Sequence, residues 1–377
     1  MSILIACDKF KGSLTATEVC QAIKEGLLAG LEKQGSRGSL GINMLPIADG
    51  GDGSLEVMQT AIGGKLIEAN TIDPLGRPIQ ASYLLQDGKA YVEMAKASGI
   101  ALLEEGEKRV IQTHTEGTGR LIVDALNRGS RDITLFAGGS ATNDAGLGIA
   151  RALGYRFYGE NGEEIMPVGG NLSNIIKIEK EIDLPEFSLT ILTDVTNPFY
   201  GKKGAAFVYA PQKGADEHEV YILDKGLRHV ANLIRWQFGR DIDHLEGAGA
   251  AGGLAGGLVG ILGAKIRNGF EAIKEITGLQ EKIMEAQLVI TGEGKLDHQS
   301  LDGKVVGGIM QICRSMNKYA PIVFTGKSEL QAQDYFINQV YEIMSLASST
   351  EDAIQHAASY LHELAFLFGK SHYSKYV

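Results

Sequence analysis

The chain is short of cysteine, of positive charge and of long apolar runs, and each shortage removes a class of protein. Its 377 residues include three cysteines, Cys7, Cys20 and Cys313. Cys7 falls in an expected strand and Cys20 in an expected helix, which predicts buried free thiols rather than a disulfide, and no C-x-x-C spacing occurs. The eight histidines are scattered and His114 has no partner at ligand spacing, so neither a zinc site nor a histidine triad is expected. Lysine and arginine number 36 against 46 aspartates and glutamates, a net charge of −10. That balance argues against non-specific binding to nucleic acid or acidic membranes, yet a local lysine cluster could still take an anionic substrate. No run reaches the ~18 apolar residues of a spanning helix. Ser2–Cys7 lacks the basic lead and the length of a signal peptide, so a cytoplasmic protein is expected. With 44% apolar residues, the chain has core material enough for two domains.

Several nucleotide and nucleophile motifs are missing too. Gly326-Lys327-Ser328 has the ending of a Walker A loop, but Pro321 stands where its first glycine belongs; Gly369-Lys370-Ser371 has Leu364 there. There is no G-x-S-x-G elbow. Gly247-x-Gly249-x-x-Gly252 matches the dinucleotide fingerprint literally, but the preceding Asp241-Ile242-Asp243-His244-Leu245-Glu246 is no buried strand. The Gly/Ala/Leu tract 247–263 is therefore read as a close-packed helix, whose first glycines could border a phosphate.

What the chain has is one pattern repeated. An apolar run ends abruptly in acids, glycines and lysines, as when a buried strand delivers charge to a sheet edge, where α/β folds bind ligands. Leu288-Val289-Ile290 runs into Thr291-Gly292-Glu293-Gly294-Lys295-Leu296-Asp297, with Asp302 and Lys304 following. Ile3 to Cys7 runs into Asp8, Lys9, Lys11 and Ser13. Met44 to Ile47 runs into Asp49-Gly50-Gly51-Asp52-Gly53, and Leu189 to Leu192 into Asp194, Thr196 and Asn197. Glycines let the backbone approach a ligand and expose N–H groups to anions, and acids hold Mg²⁺ directly or through water. Gly138-Gly139-Ser140-Ala141-Thr142-Asn143-Asp144 follows the strand 132–136 and is read as leading into a helix N-terminus, either open to an anion or capped by Ser140, Thr142 or Asn143. Together these ends suggest one site for a divalent metal and phosphates.

Both ends of the chain read as alternating strands and helices, while residues from about 67 show short alternating runs with turns at Asp73-Pro74 and Asp87-Gly88. The expected fold is α/β: a Rossmann-like doubly wound parallel-sheet domain, residues 1–75 plus 286–377, interrupted by a second α/β domain with a mixed sheet, residues 76–285.

These stretches, with Pro211-Gln212-Lys213-Gly214-Ala215, Gln299-Ser300 and Gly303-Lys304, occur in one order along nearly the whole chain, and that set resembles the type-1 bacterial glycerate kinase family. The resemblance implies ATP-dependent phosphorylation of D-glycerate with Mg²⁺, usually to 2-phosphoglycerate, and a cleft between two α/β domains. It leaves a homo-oligomer open. The chain departs from the family pattern at Glu116, Arg120 and Ala145. From residue type and position, Mg²⁺ is assigned to some of Asp49, Asp52, Glu293 and Asp297, and Asp194 is read as the general base. Lys9 or Lys11 would neutralise the phosphoryl group or hold the substrate carboxylate. Ser13, Gly138, Gly139, Ser140, Thr142, Asn143, Asn197 and Lys304 complete the expected substrate and phosphate contacts. The alternatives are a kinase for another hydroxy acid, formation of 3-phosphoglycerate, or a non-catalytic nucleotide- or metabolite-binding regulator.

Overall fold

A computed structural model describes residues 2–33, 41–301, 304–330 and 335–371. Thirteen strands are found among them: β1 (Ser2–Cys7), β2 (Gly41–Met44), β3 (Lys65–Ile72), β4 (Pro78–Gln86), β5 (Lys89–Glu93), β6 (Asp132–Phe136), β7 (Tyr155–Tyr158), β8 (Lys177–Lys180), β9 (Ser188–Leu192), β10 (Lys265–Arg267), β11 (Leu288–Leu296), β12 (Ile322–Ser328) and β13 (Gln339–Glu342). The chain divides into two compact units, Met1–Asp49, Glu56–Ile62 and Phe270–Val377 in the first, Gly50–Leu55 and Gly63–Gly269 in the second.

The first unit is built on a five-stranded sheet of order β13-β12-β11-β1-β2, parallel throughout. A parallel strand covered on both faces reads as an unbroken apolar run, and β1 is the case in point. Successive side chains alternate faces. Ile3, Ile5 and Cys7 pack with Val19, Ile23, Leu361 and Phe368, while Leu4 and Ala6 pack with Phe270, Val305 and Ile309. The helices Ala16–Lys33 and Ala357–Ser371 meet backbone to backbone. A Cβ on Gly26 would lie 2.1 Å from the His362 carbonyl oxygen, and one on Gly30 2.3 Å from that of Phe366. Only glycine permits that approach.

The second unit holds a six-stranded sheet of order β10-β9-β6-β5-β4-β3 and the hairpin β7-β8. β10, β9, β6 and β5 run parallel, and β4 and β3 are antiparallel additions, so the sheet is mixed. Asp87 and Gly88 turn β4 into β5 with positive φ at both positions (48° and 76°), as a two-residue hairpin requires. The chain passes between the units at 49/50, 55/56, 62/63 and 269/270. The Asp73-Pro74 turn lies inside the β3-β4 pairing, and Leu279 and Ile283 pack beneath the parallel sheet.

Two local expectations change and a third is refined. β11 does not stop at Ile290 but continues to Leu296, since Gly292, whose Cβ would lie 2.2 Å from the Phe324 carbonyl oxygen, lets it stay paired with β12. The 138–144 loop does not open directly into a helix. The helix is the short Leu147–Ala152, and its Gly148 N–H donates to Asp144 Oδ2 at 3.1 Å, so a carboxylate already occupies that end. The glycine tract forms Ala250–Leu262 with left-handed backbone at Ala251, Gly252 and Gly253. Its glycines serve close packing, a Cβ on Gly257 falling 1.8 Å from the Ala145 carbonyl oxygen. All three cysteines are buried free thiols. Among the described residues no helix is long and apolar enough to cross a membrane.

Candidate active site

In the first unit the sheet edge gathers acids. Asp8 follows β1, its N–H donating to the Gly292 carbonyl at 2.8 Å and its Oδ1 accepting from the Lys9 N–H at 2.7 Å. Burial raises the Asp8 carboxyl well above its usual range, Asp49 and Glu293 add like charge, and Lys9 opposes them. Glu293, inside β11, is pushed up to about 7 by burial, with Asp297 and Asp49 adding and Ser300 and Lys304 opposing. Its Oε1 is buried with no hydrogen-bond partner. Asp297 sits on a tight turn: its N–H donates to Ser300 Oγ at 3.0 Å, the Ser300 N–H returns to its Oδ1 at 3.3 Å, and Lys295 lies 3.2 Å from its Oδ2. Four carboxylates, Asp8, Asp49, Glu293 and Asp297, thus act on one another. Gly294 makes room for the adjoining loop, since a Cβ there would lie 3.3 Å from the Lys11 nitrogen. Lys11 is exposed. Ser13 is engaged elsewhere, its hydroxyl donating to the Ile354 carbonyl at 2.7 Å. Asp302 and Gly303 lie outside the described residues; Lys304 is the N-cap of the helix Val305–Ser315.

In the second unit the C-terminal ends of β5, β6 and β9 carry candidate residues. Two glycine turns meet here. A Cβ on Gly138 would lie 2.4 Å from Gly51 Cα, and one on Gly139 3.7 Å from Asp52 Cβ. Gly139, Gly50 and Gly53 all have positive φ. Glu93, at the end of β5, accepts from the Gly53 and Leu55 N–H groups at 3.1 Å each, which fixes the turn carrying Asp52. Asp194 follows β9, and its Oδ1 accepts from the Gly269 N–H at 2.9 Å. Asn197 is turned to its own loop: its amide donates to the Lys203 carbonyl at 2.8 Å and accepts from the Tyr209 hydroxyl at 2.6 Å.

Lys213 holds the 138–144 loop from beneath. Its Nζ donates to Ser140 Oγ at 2.6 Å and to the Thr142 carbonyl at 2.7 Å. Burial pushes the ammonium down to about 7, against the field of Asp144. Asp144 accepts from the Thr115 N–H and hydroxyl at 2.7 Å each, and from Gly146 and Gly148. Thr142 Oγ1 and both amide atoms of Asn143 are buried without partners.

Two of the three positions at which the resemblance is imperfect, Glu116 and Arg120, are partners. Glu116 is buried and paired with Arg120 at 2.7 Å and Arg151 at 2.8 Å, so a carboxylate at 116 and a cation at 120 come as a set. Ala145 takes the left-handed conformation (φ 56°) that would suit glycine, at a cost of roughly 1–2 kcal/mol.

Sequence reasoning assigned no individual role to Asp8, Glu93 or Lys213, which lie in contact with or beside the candidate residues. Asp8 and Lys213 stand within quoted motifs and were passed over. Glu93 had no local sign, because its partners lie some 40 residues away in sequence.

Among the described residues no group of three or more His, Cys, Asp or Glu side chains forms a metal cage. Magnesium needs none: it keeps several waters and takes one or two carboxylates. The partnerless Glu293 oxygen beside three further acids suits such a cation.

The family profile described as "Glycerate kinase family" matches residues 3–370. A glycerate kinase of Halalkalibacterium halodurans is 36% identical over 97% of this chain and 96% of its own length. The glycerate 2-kinase of Escherichia coli K12 is 36% identical over 95% of this chain and 94% of its own. A crystal structure from Salmonella typhimurium LT2, of a protein assigned as glycerate kinase 2, superposes with a TM-score of 0.84 at 34% identity, covering 100% of this chain and 99% of that one. An α/β chain with acids on the parallel sheet's edge and paired glycine turns on the mixed sheet's edge, matched end to end in this way, belongs to the glycerate kinase family.

Proposed function

We propose that the protein transfers the γ-phosphoryl group of ATP to a hydroxyl of D-glycerate, and that the product is 2-phosphoglycerate. The observation that carries the reading is the set of acids and glycine turns at strand ends in both units, kept within a chain that matches enzymes named glycerate kinase over nearly its full length. A mere binder needs fewer acids. Attack from the 2-hydroxyl is supported by the name of the Escherichia coli relative, a glycerate 2-kinase.

Phosphoryl transfer asks the protein for positioning and charge stabilisation more than for covalent chemistry. Asp49, Asp52, Glu293 and Asp297 are the carboxylates from which the holders of Mg²⁺ would come. Bound magnesium would neutralise charge on the β- and γ-phosphate oxygens. Asp194 is the proposed base for the acceptor hydroxyl, held at a strand end by the Gly269 N–H. Lys9, Lys11 and Lys304 supply positive charge for phosphate or carboxylate. Gly138, Gly139, Ser140, Thr142 and Asn143 supply the uncharged donors.

One assay tests this. ADP release is followed with D-glycerate and Mg·ATP, and the product is resolved by NMR. ADP release that depends on glycerate, with phosphate on O2, is the expected result. Phosphate on O3 would overturn the regiochemistry. No turnover with glycerate, but turnover with another hydroxy acid, would overturn the substrate.

A further inference from the structure

Lys213 is 4% exposed and its ammonium has two neutral acceptors, Ser140 Oγ and the Thr142 carbonyl. Among the described residues no carboxylate forms an ion pair with it: Asp144, whose field favours the ammonium, bonds to Thr115, Gly146 and Gly148. A buried charge whose nearest carboxylate is not in contact with it is costly, and an anion bound nearby would lessen that cost. The geometry also constrains Ser140. In the charged form, which a bound anion would favour, the group donates only. Ser140 Oγ must therefore accept from Lys213, which leaves its own proton to give, and that proton has no acceptor among the described residues. Beside it, Thr142 Oγ1 and the Asn143 amide have capacity the fold does not use. The loop reaches solvent at Gly139, which is exposed.

We propose that Lys213, acting through Ser140, makes the 138–143 loop a receiver for an oxyanion, either a carboxylate or a phosphoryl group. The ammonium supplies the charge and commits the Ser140 hydroxyl to donate to the ligand; Lys213 is thus a positioning residue. The inference rests on the reading of this loop as a substrate site.

The test is direct binding by calorimetry, with D-glycerate and inorganic phosphate as separate probes, on wild type, K213M, S140A, S140T and the K213M/S140A double variant. Folding is checked by circular dichroism; S140A removes a single oxygen and keeps the test open if K213M fails to fold. Loss of one charge-assisted hydrogen bond corresponds to about 10- to 100-fold in affinity. That loss is expected for S140A and K213M, with the double variant no worse than the weaker single and S140T near wild type. The probe that loses more identifies the carboxylate or the phosphoryl group as the ligand. A structural role for Lys213 would leave the S140A affinity intact and make the two substitutions additive. Either result, or a wild type that binds neither probe, overturns the proposal. A wild type that binds both probes in this pattern but releases no ADP with glycerate overturns the kinase reading instead, so the two failures are distinct.

Discussion

Glu93 and Gly53 are joined across 40 residues by a 3.1 Å hydrogen bond from the glycine N–H to the carboxylate, and the second carboxylate oxygen takes the Leu55 N–H. One buried acid therefore fixes the turn that presents Asp52. E93A leaves the buried Leu55 N–H unpaired, at ~1–3 kcal/mol, and the half-buried Gly53 N–H at less. Lower thermal stability is expected together with at least a ~10-fold fall in kcat/KM from the displaced turn. Wild-type turnover in E93A would remove the turn from the machinery.

The contact of Gly138 with Gly51 leaves no space for a methyl group. G138A should cost ~1–3 kcal/mol through forced separation of the two turns. It should lower kcat/KM by about 100-fold, because small displacements at a reacting centre are expensive. G106A is the control, since a Cβ at Gly106 meets nothing within 4 Å. Melting temperature and turnover measured on both variants decide it, and equal effects would dismiss the turn contact.

D194N keeps an oxygen to accept from the Gly269 N–H but cannot take a proton. Single-turnover rates should fall by about two to four orders of magnitude if Asp194 is the base, with ligand affinity nearly unchanged. A loose transition state would shrink the loss. A single-turnover rate within tenfold of wild type would make Asp194 a residue that positions rather than one that accepts the proton.

Hard cations need anionic oxygens. D49N, D52N and D297N should each raise the Mg²⁺ concentration needed for half-maximal turnover, or abolish turnover, with folding preserved by circular dichroism. Three variants that trace the wild-type magnesium titration would sink the assignment.

Lys213 also marks the pH dependence of folding. Its ordinary value is 10.5 and the folded value is about 7. Between those values the unfolded chain holds a proton that the folded chain has lost, so this group's contribution to stability rises with pH from about 7 towards about 10. Urea unfolding at pH 7 and pH 9 should show that rise in wild type and a smaller one in K213M. Equal slopes would mean the lysine is not desolvated as drawn.

The sheets were legible because their strands are apolar runs ending in charge, and β1 and β11 carry that signal plainly. The length of β11 was not, since Gly292 and Gly294 read as a break until β12 is seen to pair beside them. Lys213 stands in Pro211-Gln212-Lys213-Gly214, the composition of a solvated turn, and lysines are rarely buried. Its partners, Ser140 and Thr142, lie more than 70 residues away, and nothing local announces them. Glu93 ends an alternating strand as any edge residue would. Local composition reports the element; the role of a polar side chain is set by whichever distant backbone it meets.

The helix Ala357–Ser371 lies against Ala16–Lys33 at glycine-permitted distance, and β1 has β11 as one of its two neighbours. The parallel sheet is thus closed by segments that follow residues 63–269 in the chain, and that continuous stretch can begin to collapse before they are made. Domains generally fold as units during translation, N-terminal first. Here that order is inverted for the first unit, whose opening βα segment must wait as a nascent chain, its apolar strand unpaired on one side, until its C-terminal complement emerges.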